Sequence, residues 1–263
     1  MLKQTSMIVG VLVAAMMMAT LAPVAVADEA VDKAFEALKT YDWGQDRSVL
    51  KPIDDAVVAS HDDADAQKAL ETQLVAVLES DASRAGKDFA CRKLSLIGSA
   101  ASVPALAALL SDEKLSHMGR YALERMPCDE AVAAMRDAMG KVDGPLKIGV
   151  INSLGVRRDA QSTAALAALL GDSDTGVAAA AAAALGKIGN ADATKALAAM
   201  QASAPDELKL AAADAYLACA EQLLADGQKL QAMMIYRALA KPDQPKQIRV
   251  AAMRGLLAAS GKK

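Results

Sequence analysis

The chain has 263 residues and a formal net charge of −3, with 29 Lys and Arg against 32 Asp and Glu. Its charges are interspersed, whereas a nucleic-acid-binding protein usually presents a basic stripe, so we predict no nucleic-acid partner. Hydrophobic residues make up 54% of the sequence but aromatic residues only 3%. Because Ala, Leu and Met favour helices and strands favour β-branched and aromatic residues, the composition predicts an all-α protein.

The N-terminus is typical of a secretory signal peptide. Lys3 supplies a positive charge, residues 7–21 form an apolar run, and Ala25-Val26-Ala27 gives a small-x-small cleavage pattern. The alternative is a retained membrane anchor, but the run is shorter than the about 20 residues that a spanning helix requires. We therefore expect cleavage between Ala27 and Asp28, which leaves a periplasmic or secreted protein without an integral membrane anchor.

Residues 28–86 are predicted to form an N-terminal helical cap. Apolar residues at three- and four-residue steps indicate helices at 28–38, 48–59 and 64–78. The only Trp of the chain, Trp43, lies in the loop after the first of these helices. Terminal units of a repeat stack must shield an apolar face from water. We therefore expect this loop to cover one end of the stack, and the alternative is that Trp43 stacks on a ligand.

A repeated pattern follows over residues 87–203. The segment Ala-Leu-Ala-Ala-Leu-Leu occurs at residues 105–110 and again at 165–170, and weaker copies indicate a period of about 30 residues. The last ten residues of each first helix open with a large apolar residue, and these residues are Phe89, Met118, Leu146, Val177, Leu208 and Ile248. This periodicity indicates an α-solenoid of stacked antiparallel helical hairpins of the HEAT or armadillo kind.

Glycine and proline predict where the helices of the repeat end, because these residues commonly stop helices. The first helices are expected to end at Gly98, Pro127, Gly155 and Gly186. The second helices are expected at residues 103–110, 130–139, 161–170 and 193–201. The alanine run at 178–184 belongs to a first helix, and its small side chains predict a close approach to neighbouring helices. Residues 204–263 are predicted to form a longer hairpin and a capping helix.

The segments Leu185-Gly186-Lys187-Ile188-Gly189 and Ile248-Arg249 resemble the HEAT-like repeats of phycobilin-lyase-type proteins. The resemblance covers residues 89–201 best and implies a fold that mostly serves to bind other proteins. It also implies an alternative function, that of a bilin or tetrapyrrole lyase-like enzyme or cofactor chaperone. The family's Arg at the second position of the first helix is present only as Arg249. The other copies have Ala90, Gly119, Lys147, Ala178 and Lys209, so a continuous row of arginines is not expected.

The sequence contains no recognisable catalytic, cofactor-binding or metal-binding motif. Its two histidines, His61 and His117, lie outside any His-Glu pair or His-x-x-His spacing, and one His without partners makes no metal site. The glycine-rich patterns that bind phosphates are also missing. We therefore predict a non-enzymatic protein that carries no cofactor and no metal.

Two groups of charged residues in the repeat are candidates for a partner-binding surface. Lys114, His117 and Arg120 lie at the start of one repeat, and Arg157 and Arg158 lie in the turn of the next. Exposed turns on a rigid scaffold often carry binding residues, although charged turn residues can also be merely solvated. The sequence thus predicts an exported scaffold or adaptor that binds another protein.

Sulfur-containing residues are predicted to pack in the core. Cys91, Cys128 and Cys219 read as buried small hydrophobes, and a Cys91–Cys128 disulfide is the alternative. A methionine cluster reads as adaptable core rather than as a copper site. Its members are Met118, Met126, Met135 and Met139.

Overall fold

The computed structural model describes residues 22–261, with side chains described from residue 29 onward. Residues 1–21, which hold most of the predicted signal peptide, therefore lie outside the described residues. The predicted junction between Ala27 and Asp28 falls within the first helix. No helix in the described part of the chain is long and apolar enough to span a membrane.

The described residues form α-helices joined by turns and short 3₁₀ segments, with no strand among them, which confirms the all-α prediction. The helices are α1 (Ala22–Thr40), α2 (Lys51–Ala59), α3 (Ala64–Glu79), α4 (Arg84–Ile97), α5 (Val103–Ala108), α6 (Ser116–Leu123), α7 (Asp129–Met139), α8 (Gly144–Val156), α9 (Thr163–Ala168), α10 (Thr175–Ile188), α11 (Ala191–Ser203), α12 (Lys209–Ala225), α13 (Lys229–Leu239) and α14 (Lys246–Ser260). The chain divides into two compact units between Lys93 and Leu94, within α4.

In the N-terminal unit, α1 packs against α2 and α3. The core of this unit includes Leu38, Leu50, Ile53 and Leu74, each of which is fully buried. Trp43 does not enter this core: its side chain is 53% exposed, and the guanidinium carbon of Arg84 lies 5.4 Å from the centre of its ring. The expectation that the loop of Trp43 covers one end of a stack stays a prediction.

The C-terminal unit is a stack of helical hairpins, as the repeat predicts. The first helices α6, α8, α10 and α12 form one layer, in which each contacts the next, and α14 contacts α12. Second helices pair in the same way, α5 with α7 and α9 with α11. Because each hairpin covers its apolar face with its neighbours, this unit has the architecture of an α-solenoid.

Two of the predicted helix ends are wrong, at Gly155 and Gly186. Helix α8 continues to Val156 and α10 continues to Ile188, where Gly189 in the left-handed conformation ends it with φ +65°. A Cβ on Gly155 would lie 2.8 Å from Ala184 Cα, and one on Gly186 would lie 2.5 Å from the Ala215 carbonyl oxygen. These glycines sit inside helices because the neighbouring helix leaves no room for a side chain.

The other two predicted ends both lie outside helices, but only Gly98 directly follows one. Gly98 follows the last residue of α4, and Pro127 lies in the turn before α7, four residues after α6 has ended at Leu123. The two copies of the repeated hexapeptide each begin in an α-helix and finish in a 3₁₀ turn, at Leu109–Ser111 and Leu169–Gly171. The second helices α5 and α9 are thus shorter than the sequence predicts.

Identical sequence does not give identical burial in the two hexapeptides. Leu106 and Leu166 are both fully buried. Leu109 and Leu110 are buried in the first copy, whereas Leu169 and Leu170 remain half-exposed in the second. The environment of each copy is therefore set by the neighbouring helices rather than by the repeat itself.

Candidate functional site

The five residues proposed as a binding surface differ in their exposure. Lys114 and His117 are exposed at the start of α6, whereas Arg120 lies half-buried one turn further along that helix. Arg157 is half-buried just after α8, and Arg158 beside it is exposed. Arg120 and Arg157 are thus half-buried between helices. Lys114, His117 and Arg158 are exposed.

Arg120 crosses from α6 to α8 and lies flat on the backbone at Gly149. Its Nη1 donates to the Gly149 carbonyl oxygen at 3.3 Å and to Ser153 Oγ at 3.4 Å. A Cβ on Gly149 would lie 2.7 Å from the guanidinium carbon of Arg120, so a side chain here would displace the Arg120 guanidinium. Burial lowers the pKa of the Arg120 guanidinium, and the charge of Glu124 opposes that shift.

Two further residues complete a polar network between α6 and α8. Ser153 Oγ lies 2.5 Å from Glu124 Oε1 and 3.1 Å from the Gly149 carbonyl oxygen, and its single proton can serve one of them at a time. Arg157 Nη1 donates to the carbonyl oxygens of Glu124, at 3.3 Å, and of Met126. Arg120 and Arg157 are therefore both engaged in contacts between repeats.

A polar cavity of about 310 Å³ opens beside the end of α8. We call it the arginine pocket. It is lined by Asp129, Val132, Arg136, Arg157, Arg158, Asp159, Ala160 and Gln161. Three guanidinium groups and two carboxylates border this small volume, and they come from α7 and from the turn 157–159 that follows α8.

The charges of the arginine pocket are held in place by ion pairs. Arg136 Nη1 lies 2.8 Å from Asp159 Oδ1, and the Asp159 side chain is only 8% exposed. Asp159 also accepts a hydrogen bond from Ser162 Oγ at 2.5 Å. A buried carboxylate that is both paired and hydrogen-bonded is a fixed part of the structure, so Arg136 and Asp159 form a rigid wall of the pocket.

Arg158 occupies the rim of the pocket in a strained backbone conformation. It is the one non-glycine residue with positive φ, at 51°, among the described residues. Its backbone N–H donates to the Gly155 carbonyl, and that of Asp159 donates to the Leu154 carbonyl, each at 3.1 Å. This is a helix C-terminal cap in which glycine is the usual residue, because the left-handed conformation disfavours a Cβ. Strain of this kind clusters at functional sites.

The Arg158 side chain is anchored from a later helix. Its Nη2 lies 2.8 Å from Asp226 Oδ2, just beyond the end of α12. Asp226 also accepts a hydrogen bond from Gln222 Nε2 at 2.9 Å. The hydrogen bonds from Arg158 and Gln222 lower the pKa of the Asp226 carboxyl. Arg158 therefore stands at the pocket rim with a defined orientation.

The sequence missed Arg136 and Asp226, and it did not identify the ion pair of Asp159, because the partners lie far apart along the chain. Arg136 and Asp159 are 23 residues apart, and Arg158 and Asp226 are 68 residues apart. An Arg-Asp pair at a helical three- or four-residue step would have been a visible signal. A pair that forms between repeats leaves no such local pattern.

The cysteines and methionines occupy buried or half-buried positions. All three cysteines are free thiols, so the alternative Cys91–Cys128 disulfide is not formed. Burial, with a contribution from Asp88, raises the pKa of the Cys91 thiol to about 12. The four clustered methionines are buried, as predicted: Met118, Met126, Met135 and Met139. Within residues 29–261, no group of His, Cys, Asp and Glu side chains could hold a metal ion.

The comparison with protein families identifies the central part of the C-terminal unit. Residues 132–217 match the family described as HEAT repeats. We call residues 132–217 the HEAT segment, after the family that they resemble. The HEAT segment begins within α7, ends within α12 and contains all the lining residues of the arginine pocket except Asp129. The sequence placed the resemblance best at residues 89–201, so the matched family extends further toward the C-terminus than predicted and begins later.

Several solved structures are similar to this chain at low sequence identity. The archaeal HEAT-like repeats protein from Thermococcus onnurineus NA1 is 14% identical, with 88% of this chain and 97% of that chain covered and a TM-score of 0.48. An engineered protein is 20% identical, with coverage of 89% and 69% and a TM-score of 0.41. Human deoxyhypusine hydroxylase in complex with glycerol is 18% identical, with coverage of 91% and 99% and a TM-score of 0.36. No curated protein matches the sequence.

Proposed function

We propose that this protein is an exported, non-enzymatic scaffold that binds another protein, with the arginine pocket as a point of contact. One observation carries the proposal: the HEAT segment holds Arg158 at the rim of a polar pocket in a backbone conformation that glycine would adopt more easily. A strained residue persists only where the surrounding structure enforces it, and such residues concentrate at binding sites. HEAT repeats provide a rigid support for such a site.

The chemistry of the pocket suits a carboxylate of the partner. Arg157 donates to backbone carbonyl oxygens, which are uncharged, so its positive charge is not neutralised by those contacts. Guanidinium groups bind carboxylates through charge-assisted hydrogen bonds, which are stronger than neutral ones. We therefore expect an Asp or Glu side chain, or a C-terminal carboxylate, of the partner protein to enter the pocket.

The test places a photo-crosslinking amino acid at Gln161, an exposed residue that lines the pocket. The control places it at Thr72, an exposed residue of α3 in the N-terminal unit. In cells that produce the protein, we expect a specific adduct from position 161 and none from position 72. In the Arg158→Gly variant, which keeps the turn and removes the guanidinium, the adduct should be lost. An unchanged adduct in that variant would exclude Arg158 from the contact.

Export is tested separately by the N-terminus of the mature protein. Cleavage between Ala27 and Asp28 predicts that protein recovered from a cell envelope or culture medium begins at Asp28, as read by mass spectrometry. Recovery of the intact N-terminus from the cytosol would contradict export. The resemblance to bilin lyases is tested by titration of the protein with bilin or haem. We expect the visible spectrum of the ligand to stay unchanged, and a shifted band would favour the cofactor-chaperone alternative.

A further inference from the structure

The last two helices carry nearly half of the exposed large apolar side chains of the described chain. Eleven large hydrophobic residues are exposed, and five of them lie on α13 or α14. They are Leu230, Met234, Val250, Met253 and Leu257. Scattered exposed apolar residues are ordinary, but a concentration of them marks an interaction surface.

Three of these residues form one stripe along α14. Val250, Met253 and Leu257 are separated by three and four residues, so they project from the same side of the helix. Their exposed fractions are 41%, 51% and 57%. The opposite side of α14 packs into the unit through Ile248, Ala252 and Ala259. The stripe has the three-four spacing of a seam between two packed helices.

The charged side chains on α13 and α14 are of one sign. Neither α13 nor α14 contains an Asp or Glu residue, and the one carboxylate between them is Asp243 in the turn. Lys246 and Arg254 are exposed and lie at four-residue steps from Val250, one turn before it and one turn after it. The apolar stripe is thus accompanied by positive charge along its length. We call this surface, Lys246 to Leu257 on the outer side of α14, the basic stripe.

We infer that the basic stripe docks an acidic amphipathic helix of another protein. Charge complementarity selects the occupant, because carboxylates beside the partner's apolar residues would face Lys246 and Arg254. Pairing of two basic stripes would bring like charges together, which disfavours a second copy of α14 as the occupant. A membrane surface is favoured by a wide apolar face with Trp or Phe, whereas this stripe is one residue wide and has no aromatic side chain. The basic stripe is separate from the arginine pocket and does not depend on the proposed role of that pocket.

The inference is tested with two synthetic three-heptad peptides that have Leu at positions a and d. One carries Glu at positions e and g and the other carries Lys there. Binding of each labelled peptide to the full-length protein is followed by fluorescence anisotropy at low and high salt. We expect the Glu peptide to bind at least about tenfold more tightly than the Lys peptide, and the difference to shrink at high salt.

Two double variants locate the binding on the stripe. Met253→Ser with Leu257→Ser removes apolar contact, and Lys246→Gln with Arg254→Gln removes charge; each should weaken binding of the Glu peptide at least about tenfold. The matched controls are Val58→Ser, which removes an apolar side chain that is 77% exposed, and Lys68→Gln with Lys195→Gln, which removes two exposed charges. These controls should bind the Glu peptide as the parent protein does, and circular dichroism confirms that every variant is folded.

Three outcomes would overturn the inference. Equal affinity for the two peptides, or affinity that the stripe variants leave unchanged, would show that the stripe is not an acidic-helix site. Cosedimentation with phosphatidylglycerol vesicles that is lost in the same stripe variants would assign it to a membrane surface. Self-association in sedimentation velocity that the stripe variants abolish would assign it to a second copy. Arg158→Gly should leave peptide binding intact. A negative result for the basic stripe is therefore distinguishable from a negative result for the arginine pocket.

Discussion

The C-terminal unit joins its first helices in two different ways. Between α6 and α8 the contact is polar: Arg120, Glu124, Ser153 and Arg157 bond across the seam. Between α8 and α10, and between α10 and α12, the contact is made by Gly and Ala, with Gly155 against Ala184 and Gly186 against Ala215. Hydrogen bonds join the helices at the first of these contacts. At the other two, the helix backbones approach each other closely. We therefore expect added side-chain volume to destabilise the close-packed contacts, and loss of a hydrogen-bonding group to destabilise the polar contact.

The largest effect is expected from Gly186→Val in the close-packed seam. A Cβ at this position meets a backbone oxygen at 2.5 Å, which cannot move aside as a side chain can. We expect α10 and α12 to separate and the free energy of unfolding to fall by about 3 kcal/mol or more. Chemical denaturation measures this change in the free energy of unfolding. The control Gly171→Ala adds a Cβ with no atom within 4 Å. A loss of less than about 1 kcal/mol in Gly186→Val would mean that the seam can relax.

A smaller effect is expected from Ala181→Leu in the same helix. Ala181 is fully buried, so three added carbon atoms must displace neighbouring side chains at a cost of about 1–3 kcal/mol. The matched control is Ala183→Leu, because Ala183 is exposed in the same helix. Thermal unfolding should show a lower midpoint for the first variant and little change for the second. Equal midpoints would contradict the close packing of α10.

The polar seam is expected to be sensitive to loss of a single hydrogen-bonding group. Ser153→Ala removes the hydroxyl beside Glu124 and leaves that half-buried carboxylate without this hydrogen bond, at a cost of about 1–2 kcal/mol. The Gly149 carbonyl keeps its bond from Arg120. Asn152→Ala, at an exposed neighbouring position of α8, is the control. Urea unfolding of both variants compares them. If Ser153→Ala were as stable as the control, the network would be incidental to the seam.

The smallest change is expected at Arg158, which lies outside both kinds of seam. Arg158→Gly removes the strain of a left-handed backbone conformation, which stabilises the folded variant by about 1 kcal/mol. The greater conformational freedom of glycine in the unfolded chain offsets part of that gain. The variant also loses the ion pair with Asp226, whose pKa is lowered in the folded protein. That stabilisation is present above the unfolded pKa of Asp226 and is lost as the pH falls through the folded value. In thermal melts over a series of pH values, the melting temperature of the variant relative to the parent should therefore be highest under acidic conditions. A constant difference across the series would contradict the role of this ion pair.

The sequence predicted the architecture of the C-terminal unit because periodicity is a local property. The apolar residues that open the first helices mostly lie in the core, and the alanine run is the most deeply buried helix of the unit. The helix ends at Gly155 and Gly186 were mistaken because glycine serves two purposes. It ends a helix by adopting positive φ, and it admits a neighbouring helix by lacking a Cβ, and only the position of that neighbour distinguishes the two.

The candidate site was predicted in part, for a related reason. Arg157 and Arg158 do line a pocket, but the sequence offered no sign that Arg157 also bonds to the preceding repeat. Arg120 was read as a surface charge because half-burial of a long side chain depends on what lies across from it, here the bare backbone of Gly149. Contacts between repeats depend on how one hairpin is rotated onto the next, and a single sequence does not record that rotation.

The glycines within α8 and α10 also restrict how such an array can change its length. Each residue added to a helix turns everything after it by about 100°. One residue inserted early in α10 would thus carry Gly186 away from Ala215 and bring a larger side chain to the point of closest approach. Insertions and deletions are consequently compatible with this stack only in the turns, where an extra residue leaves the rotation of the packed helices unchanged.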